Sequence, residues 1–285
     1  MFRIILTLLF TTFHLTNYSQ SARETINMDM GWQFSRGTHQ EAIDPSFDDS
    51  GWQTVNIPHD WSILGRYNRS NLTGRGGGYL PSGDGWYRKS FALPKSYTGK
   101  KIWIEFDGIM ANSEVYINGE LLGKWPYGYT SLLYEMTDHL QFGEDEVNIL
   151  TVRANNINQP ASRWYTGAGI YRHTRMHVKD PVHIDHWGVF VTTPRVSETT
   201  ATVNAVVQVN NSSGSRKNIT VQSSVVDNQG KTVKSASSSL RIAAGTSREV
   251  ELTMEVANPS LWDIEAPNMY TLVTNIMEGK TVLDE

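Results

Sequence analysis

Short runs in which apolar and polar residues alternate recur along almost the whole chain, separated by turns rich in Gly, Asn, Asp and Ser. Ile102, Ile104 and Phe106 alternate with Trp103 and Glu105, and Val115 and Ile117 alternate with Glu114 and Tyr116. A period of two sends successive side chains to opposite faces, so each run predicts a strand with one buried face. Asp107-Gly108 and Asn118-Gly119 read as turn dipeptides, because these residue types tolerate positive φ. Further strands are predicted at 26–27, 31–34, 55–58, 140–154, from 170 onward, and at 202–209, 219–226 and 248–256. A hairpin is expected from Leu121 to Trp125 against 128–131, with one helical turn within 131–139. Helix is otherwise nearly absent. The pattern predicts an all-β chain built from sandwiches.

A boundary falls at Lys179-Asp180-Pro181, beyond which aromatic residues thin out and Ser, Thr and Val dominate. A chain of 285 residues has room for two β-type domains with full cores, and the expected spans are 24–179 and 181–285. The turns at 211–214 and 227–230, set between alternating runs, give the second span an immunoglobulin-like pattern. Residues 65–85 stand apart. They are rich in Gly, Asn, Ser and Arg, carry no periodicity and are too long for a plain hairpin, which predicts a functional or a disordered loop. A phosphate cradle at Gly76-Gly77-Gly78 is discounted, since it lacks both the strand-to-helix context and the Lys-Ser/Thr pair.

Charge and composition narrow the partners. A formal net charge of −4 with no long block of one sign argues against nucleic acid. Nine Trp and twelve Tyr suit sandwich cores and carbohydrate-facing surfaces alike. With no Cys there is no disulfide and no thiol nucleophile, but the redox compartment stays open. Arg3, the apolar run 4–13 and the polar stretch 17–21 predict a signal peptide over 1–21, hence export to the periplasm or medium. That run is too short to span a bilayer, so no membrane span is expected. No metal or other cofactor is expected either. His173 and His177 lie four steps apart on a strand pattern, about 13 Å, and His183 and His186 would face opposite ways.

Four blocks occur in order: 85–91 (GWYRKSF), 106–119 (FDGIMANSEVYING), Gly128-Tyr129-Thr130, and 162–172 (SRWYTGAGIYR). Together they resemble the amino-terminal sugar-binding domain of glycoside hydrolase family 2, in its β-galactosidase branch. Leu261-Trp262 and 267–270 are similar to the second domain of the same family. The resemblance implies a jelly-roll, galactose-binding-like β-sandwich followed by an immunoglobulin-like one. It also implies a catalytic barrel, which does not follow here. In the family a further strand comes after the position of Leu283, so the second sandwich is expected to lack its last strand.

The family's reaction is retaining hydrolysis of terminal β-galactosides, which needs two carboxyl groups about 5 Å apart. By resemblance both are glutamates on the barrel, the acid/base preceded by Asn, and no Asn-Glu dipeptide occurs in this sequence. No catalytic residue is therefore assigned. The resemblance implies instead that loops of the first domain grip the terminal sugar. Two segments match: His59 and Asp60 beside Trp61, and Arg163 followed by Trp164 and Tyr165. Read without the family, Asp60 is a turn cap and Arg163–Trp164 a surface cation–π pair. The expected function is the non-catalytic amino-terminal portion of an exported β-galactosidase-like hydrolase. Alternatives are a free-standing carbohydrate-binding module, or a relative acting on β-glucuronides or β-mannosides. The expected partners are carbohydrate, a separate catalytic barrel and a second copy of the chain.

Overall fold

The computed structural model describes residues 22–285, so the expected signal segment 1–21 lies outside the described residues. The first domain is a jelly-roll sandwich of two antiparallel sheets. One sheet orders β1 (Glu24–Asn27), β10 (Thr174–Lys179), β5 (Lys101–Phe106) and β8 (Leu132–Glu135). The other orders β3 (Gln53–Val55), β2 (Trp32–Arg36), β4 (Asp84–Leu93), β9 (Gly143–Asn155), β6 (Ser113–Ile117) and β7 (Glu120–Trp125). Among the described residues helix is confined to single turns at Gln40–Ile43, Lys95–Tyr97 and Thr137–His139.

The alternation decides what the sheets bury. Ile102, Ile104 and Phe106 face Val115, Ile117, Leu150 and Val152 across the sandwich, closed by Trp32, Phe34 and Tyr87. Tyr87 meets Trp32 edge-on at 6.4 Å and Phe34 at 4.7 Å, the tilted and T-shaped contacts that aromatic quadrupoles favour. In β4 the alternation fails, because Gly85, Trp86, Tyr87 and Arg88 are all buried. Segment 39–49 covers the outer face of that strand, and Arg88 holds it there. Its guanidinium donates to the carbonyls of Ala42, Asp44, Pro45 and Phe47 and pairs with Asp49 at 2.7 Å.

Three local expectations come out differently. Asn118-Gly119 does make the positive-φ turn between β6 and β7, with φ of 50° and 89°. Asp107-Gly108 does not, since neither residue is among those with positive φ. A Cβ on Gly108 would lie 3.0 Å from the Tyr171 ring, so close packing is what requires glycine there. Residues 128–131 are not the partner of β7, which pairs with β6. They lie in the crossover to β8 in the opposite sheet, and 170–172 precede β10 instead of opening it.

The second domain packs β11 (Val182–Val196), β12 (Thr200–Asn211) and β15 (Thr246–Ala257) against β14 (Thr232–Ile242), β13 (Lys217–Val226), β16 (Thr271–Glu278) and β17 (Thr281–Asp284). This three-plus-four arrangement is immunoglobulin-like. β13 and β15 bury every second residue over most of their length, and their core is aliphatic: Val207, Val209, Val221, Leu252 and Ile276. At the edge where the sequence reading expects a closing strand to be lacking, the short β17 pairs with β16. Its Asp284 is fully buried. It accepts the Ile184 amide at 2.7 Å and a two-pronged ion pair from Arg23 at 2.9 and 2.6 Å, joining the first residues of one domain to the last strand of the other.

Candidate functional site

At one end of the first sandwich the loops after β3, β5, β7 and β9 come together. Asp60 is the shared acceptor of the loops after β3 and β9. Its Oδ1 takes the amides of Ser62 at 3.0 Å and Ile63 at 3.3 Å, which caps the turn after Trp61. The Tyr165 hydroxyl donates to the same carboxylate, 2.6 Å from Oδ1 and 2.7 Å from Oδ2. Burial, and then the neighbouring carboxylate, hold the Tyr165 phenol protonated far above its ordinary range. Asp60 therefore both caps a turn and anchors the 156–166 segment. Among the described residues Tyr165 is the one partner on Oδ2, which leaves acceptor capacity for a ligand hydroxyl.

The four residues singled out in the sequence occupy different settings. His59 is buried, with Nδ1 2.9 Å from the Tyr87 hydroxyl and its ring 4.6 Å from Phe34. Desolvation lowers its pKa against the opposing pull of Asp60, so the ring is a neutral core group at pH 7. Asp60 is half-buried, and Arg163 and Trp164 are exposed. Trp61, expected to offer an aromatic face to a sugar, lies in the core, where the Arg36 guanidinium sits 4.5 Å from its ring. The structure thus brings Asp60 and the 163–165 segment together and turns His59 and Trp61 inward.

Glycines set how closely these loops approach. A Cβ on Gly169, which has a φ of +89°, would sit 2.1 Å from the Tyr87 hydroxyl, and one on Gly76 would sit 2.9 Å from the Ser162 carbonyl. The glycine-rich stretch is thereby packed against the 162–163 backbone. Its own order comes from Thr73, whose buried hydroxyl donates to the Leu80 carbonyl at 2.6 Å, and from Asn71, which donates to Tyr79 at 2.7 Å. Asn156 is buried and links two loops, accepting the Gly83 amide at 2.9 Å and donating to the Gly167 carbonyl at 3.2 Å. Beside this frame lies a cleft of about 480 Å³ whose lining includes Trp164, Tyr127 and Tyr129. The sequence hinted at its tyrosines only through Gly128-Tyr129-Thr130. That they face the 156–166 segment depends on the crossover between sheets, which pairing patterns did not predict.

Of the histidines considered as metal ligands, His173 bonds Asp29 at 2.8 Å, while His177 and His186 both reach Glu105, at 2.7 and 3.6 Å. Among the described residues no three His, Cys, Asp or Glu side chains are grouped so as to hold a metal. No described helix is long and apolar enough to cross a membrane.

Comparison with known proteins places both domains. The model of the glycosyl hydrolases family 2 sugar binding domain matches residues 26–181, and that of glycosyl hydrolases family 2 matches residues 182–285. A β-galactosidase of Bacteroides ovatus is 44% identical over 266 residues, covering 93% of this chain and 31% of that protein. A putative β-glucuronidase of Formosa agariphila is 34% identical over 267 residues, covering 94% of this chain and 25% of that protein. The crystal structure of a family 2 glycosyl hydrolase from Bacteroides cellulosilyticus superposes with a TM-score of 0.87 at 33% identity, over 91% of this chain and 34% of that one. The chain spans about a third or less of the length of the relatives it matches.

Proposed function

The chain belongs to glycosyl hydrolases family 2, and on that premise we propose that it is the sugar-gripping part of a β-galactosidase-type enzyme that cleaves terminal β-galactosides with retention. One observation carries the reading: Asp60 and Tyr165 tie together two loops that offer a partly free carboxylate, an exposed guanidinium at Arg163 and an exposed indole at Trp164. A carboxylate and a guanidinium bind sugar hydroxyls from opposite senses, one accepting and the other donating. An indole face covers the C–H side of a pyranose ring.

These residues hold substrate; they do not break its bond. Carboxylates elsewhere in the first domain serve the fold: Asp49 pairs with Arg88, Asp84 and Glu114 with Arg153, and Asp107 with Arg175. The nucleophile and the acid/base are proposed to lie on a catalytic barrel outside these residues, separated by about 5 Å as retention requires. The galactoside reading takes support from the 44% identical relative. A β-glucuronide is the second reading, favoured by the exposed Arg163 fork, which would suit a uronate carboxylate.

The test is a graft. Residues 22–285 should give no turnover of a chromogenic β-galactoside on their own. In place of the matching portion of the Bacteroides ovatus β-galactosidase they should support it, with little turnover of the β-glucuronide. Asp60→Asn in the graft should raise KM or lower kcat/KM by about tenfold or more, the loss of one charge-assisted hydrogen bond. A graft that folds but prefers the glucuronide would replace the first reading with the second. Turnover by residues 22–285 alone would refute both.

A further inference from the structure

We propose that the pocket at the junction of the two domains, lined by Trp103, Lys179 and His183, is a binding site for inorganic hydrogen phosphate. It is built from residues that the sugar-gripping loops do not use, and it holds whichever glycoside the chain serves.

A buried charge sets the problem. Lys179, the last residue of β10, is 5% exposed, yet among the described residues it forms no ion pair. Its ammonium has three N–H groups, and the protein takes up one, in a long 3.4 Å bond to the Ile184 carbonyl. The Trp103 ring lies 5.2 Å from it. An ammonium stripped of water needs an opposite charge, which is why buried lysines are almost always paired. Elsewhere the chain obeys that rule: Arg88 has Asp49, and Asp284 has Arg23. Arg23 donates to the same Ile184 carbonyl at 3.2 Å, so two cations share one carbonyl while Asp284 balances one of them. The facing strands do not make up the deficit. Glu135 is engaged by Lys101 at 2.6 Å, and Glu105 by His177 at 2.7 Å and His186 at 3.6 Å. Asp185 Oδ1 accepts the His186 amide at 2.8 Å.

Room for a counter-ion lies alongside. The pocket has a volume of about 210 Å³, and Asn210 and Ser212 of the second domain join its lining. A water takes about 30 Å³, so one five-atom ion fits with a few waters around it. Neutral donors are in place for it. Asn210 uses its side-chain oxygen to accept from Ser247, and its amide hydrogens have no partner among the described residues. The same holds for the Ser212 hydroxyl.

His183 then selects the anion. It is 2% exposed and meets the same Trp103 ring edge-on at 5.0 Å, which makes it a neighbour of the Lys179 ammonium. Its Nδ1 lies 2.9 Å from the Asp180 carbonyl, and because a carbonyl only accepts, the ring proton belongs on Nδ1. Burial, and next the Lys179 charge, lower the pKa of the ring and keep it neutral at pH 7. Nε2 is then an acceptor with no partner among the described residues. A ligand that suits both groups offers negative oxygens to Lys179 and a hydroxyl to His183. Hydrogen phosphate carries both. Sulfate has no proton to give, and a phosphate monoester has lost its own above about pH 6.

Calorimetry on residues 22–285, at matched ionic strength, tests this with inorganic phosphate, sulfate, methyl phosphate and chloride. At pH 7.5 phosphate should bind with a Kd in the millimolar range, and the other three about tenfold or more weaker. Sulfate should gain on phosphate as the pH falls toward 5.5, because its binding requires a proton on His183 Nε2. Phosphate should also raise the melting temperature in step with occupancy. Lys179→Met fills the same space without the charge and should weaken phosphate about tenfold or more. Asp185→Asn keeps the acceptor for the His186 amide but removes a negative charge from the lining, so phosphate should bind about threefold tighter. The comparison of anions needs no variant. Phosphate that binds no better than chloride, equal affinity for phosphate and sulfate at pH 7.5, full binding by the folded Lys179→Met protein, or weaker binding by Asp185→Asn would each overturn the proposal.

Discussion

The two sandwiches of this chain reach a buried core by different means. The first fills its interior with aromatic rings and fastens covering loops with polar groups sunk among them. Trp32, Trp86, Tyr87 and Phe106 are almost wholly buried, as is Arg88, one of the most strongly basic side chains a protein has. In the second the core is Val, Ile, Leu and Met at alternate positions, and its buried polar groups are fewer, among them Ser223 against Thr274 at 2.8 Å and Asp284 at the junction. A periodic aliphatic core is built by the strands alone. A core with polar fasteners also fixes what lies outside the strands, and the candidate functional loops occur on that domain. The difference ties precise loop placement to buried hydrogen-bonded groups, which are costly when half-satisfied.

The comparison breaks most sharply at Arg88. Replacing it with Met should strand several buried carbonyls and the Asp49 carboxylate, costing about 3–5 kcal/mol. Denaturant unfolding should show the loss in the transition of the first domain, with the second unmoved. Equal movement of both transitions would mean that the domains unfold as one unit.

Ile276→Ala is the counterpart in the second domain. Ile276 is fully buried with no polar partner to strand, so the cost is the lost transfer energy plus the cavity, about 2–4 kcal/mol. It should lower the second transition only. That transition is expected to be the earlier of the two in the native chain, since β17 is short and leaves an open edge. A second domain that outlasts the first in the native chain would contradict this.

The smallest effect is expected at the junction, where Lys179 is buried against Trp103 with its ammonium 5.2 Å from the ring. Burial, and next the nearby Arg23, pull its pKa down to about 8. The unfolded chain holds that proton up to about pH 10.4. Between those values the unfolded state binds more protons, so stability rises with pH there, and below pH 8 the penalty is present in full. Lys179→Met should be the more stable protein at pH 7 by about 2 kcal/mol, with the gap closing as pH climbs from 8 to 10.4. A gap that stays constant across that range would show that the buried charge is not its cause.

Much of the second sandwich was legible in the sequence, because one face of each strand meets the core and the other meets water. Residues 202–209, 219–226 and 248–256 fall inside β12, β13 and β15 for that reason. In the first sandwich the same reasoning found Trp32, Phe34, Ile102, Ile104 and Phe106. It missed Arg88, whose partners lie 39 to 46 positions away and which occupies a strand face that only a folded loop covers. Four consecutive buried residues in β4 are the trace of that cover, visible once exposure is known. At the candidate site, Asp60 could be read as a cap, but its bond to Tyr165 spans 105 positions, and no local pattern records it. Trp61 and Trp164 look alike as letters; the fold makes one core and the other surface.

The Arg23–Asp284 clasp gives the chain a property of connectivity. The two residues are 261 positions apart, yet their side chains touch, so the backbone between them is a ring closed by one ion pair. In a ring the order of connection carries little weight. A chain reopened at the exposed turn after Asp227, and joined across the clasp by a short linker, would keep every strand register described above.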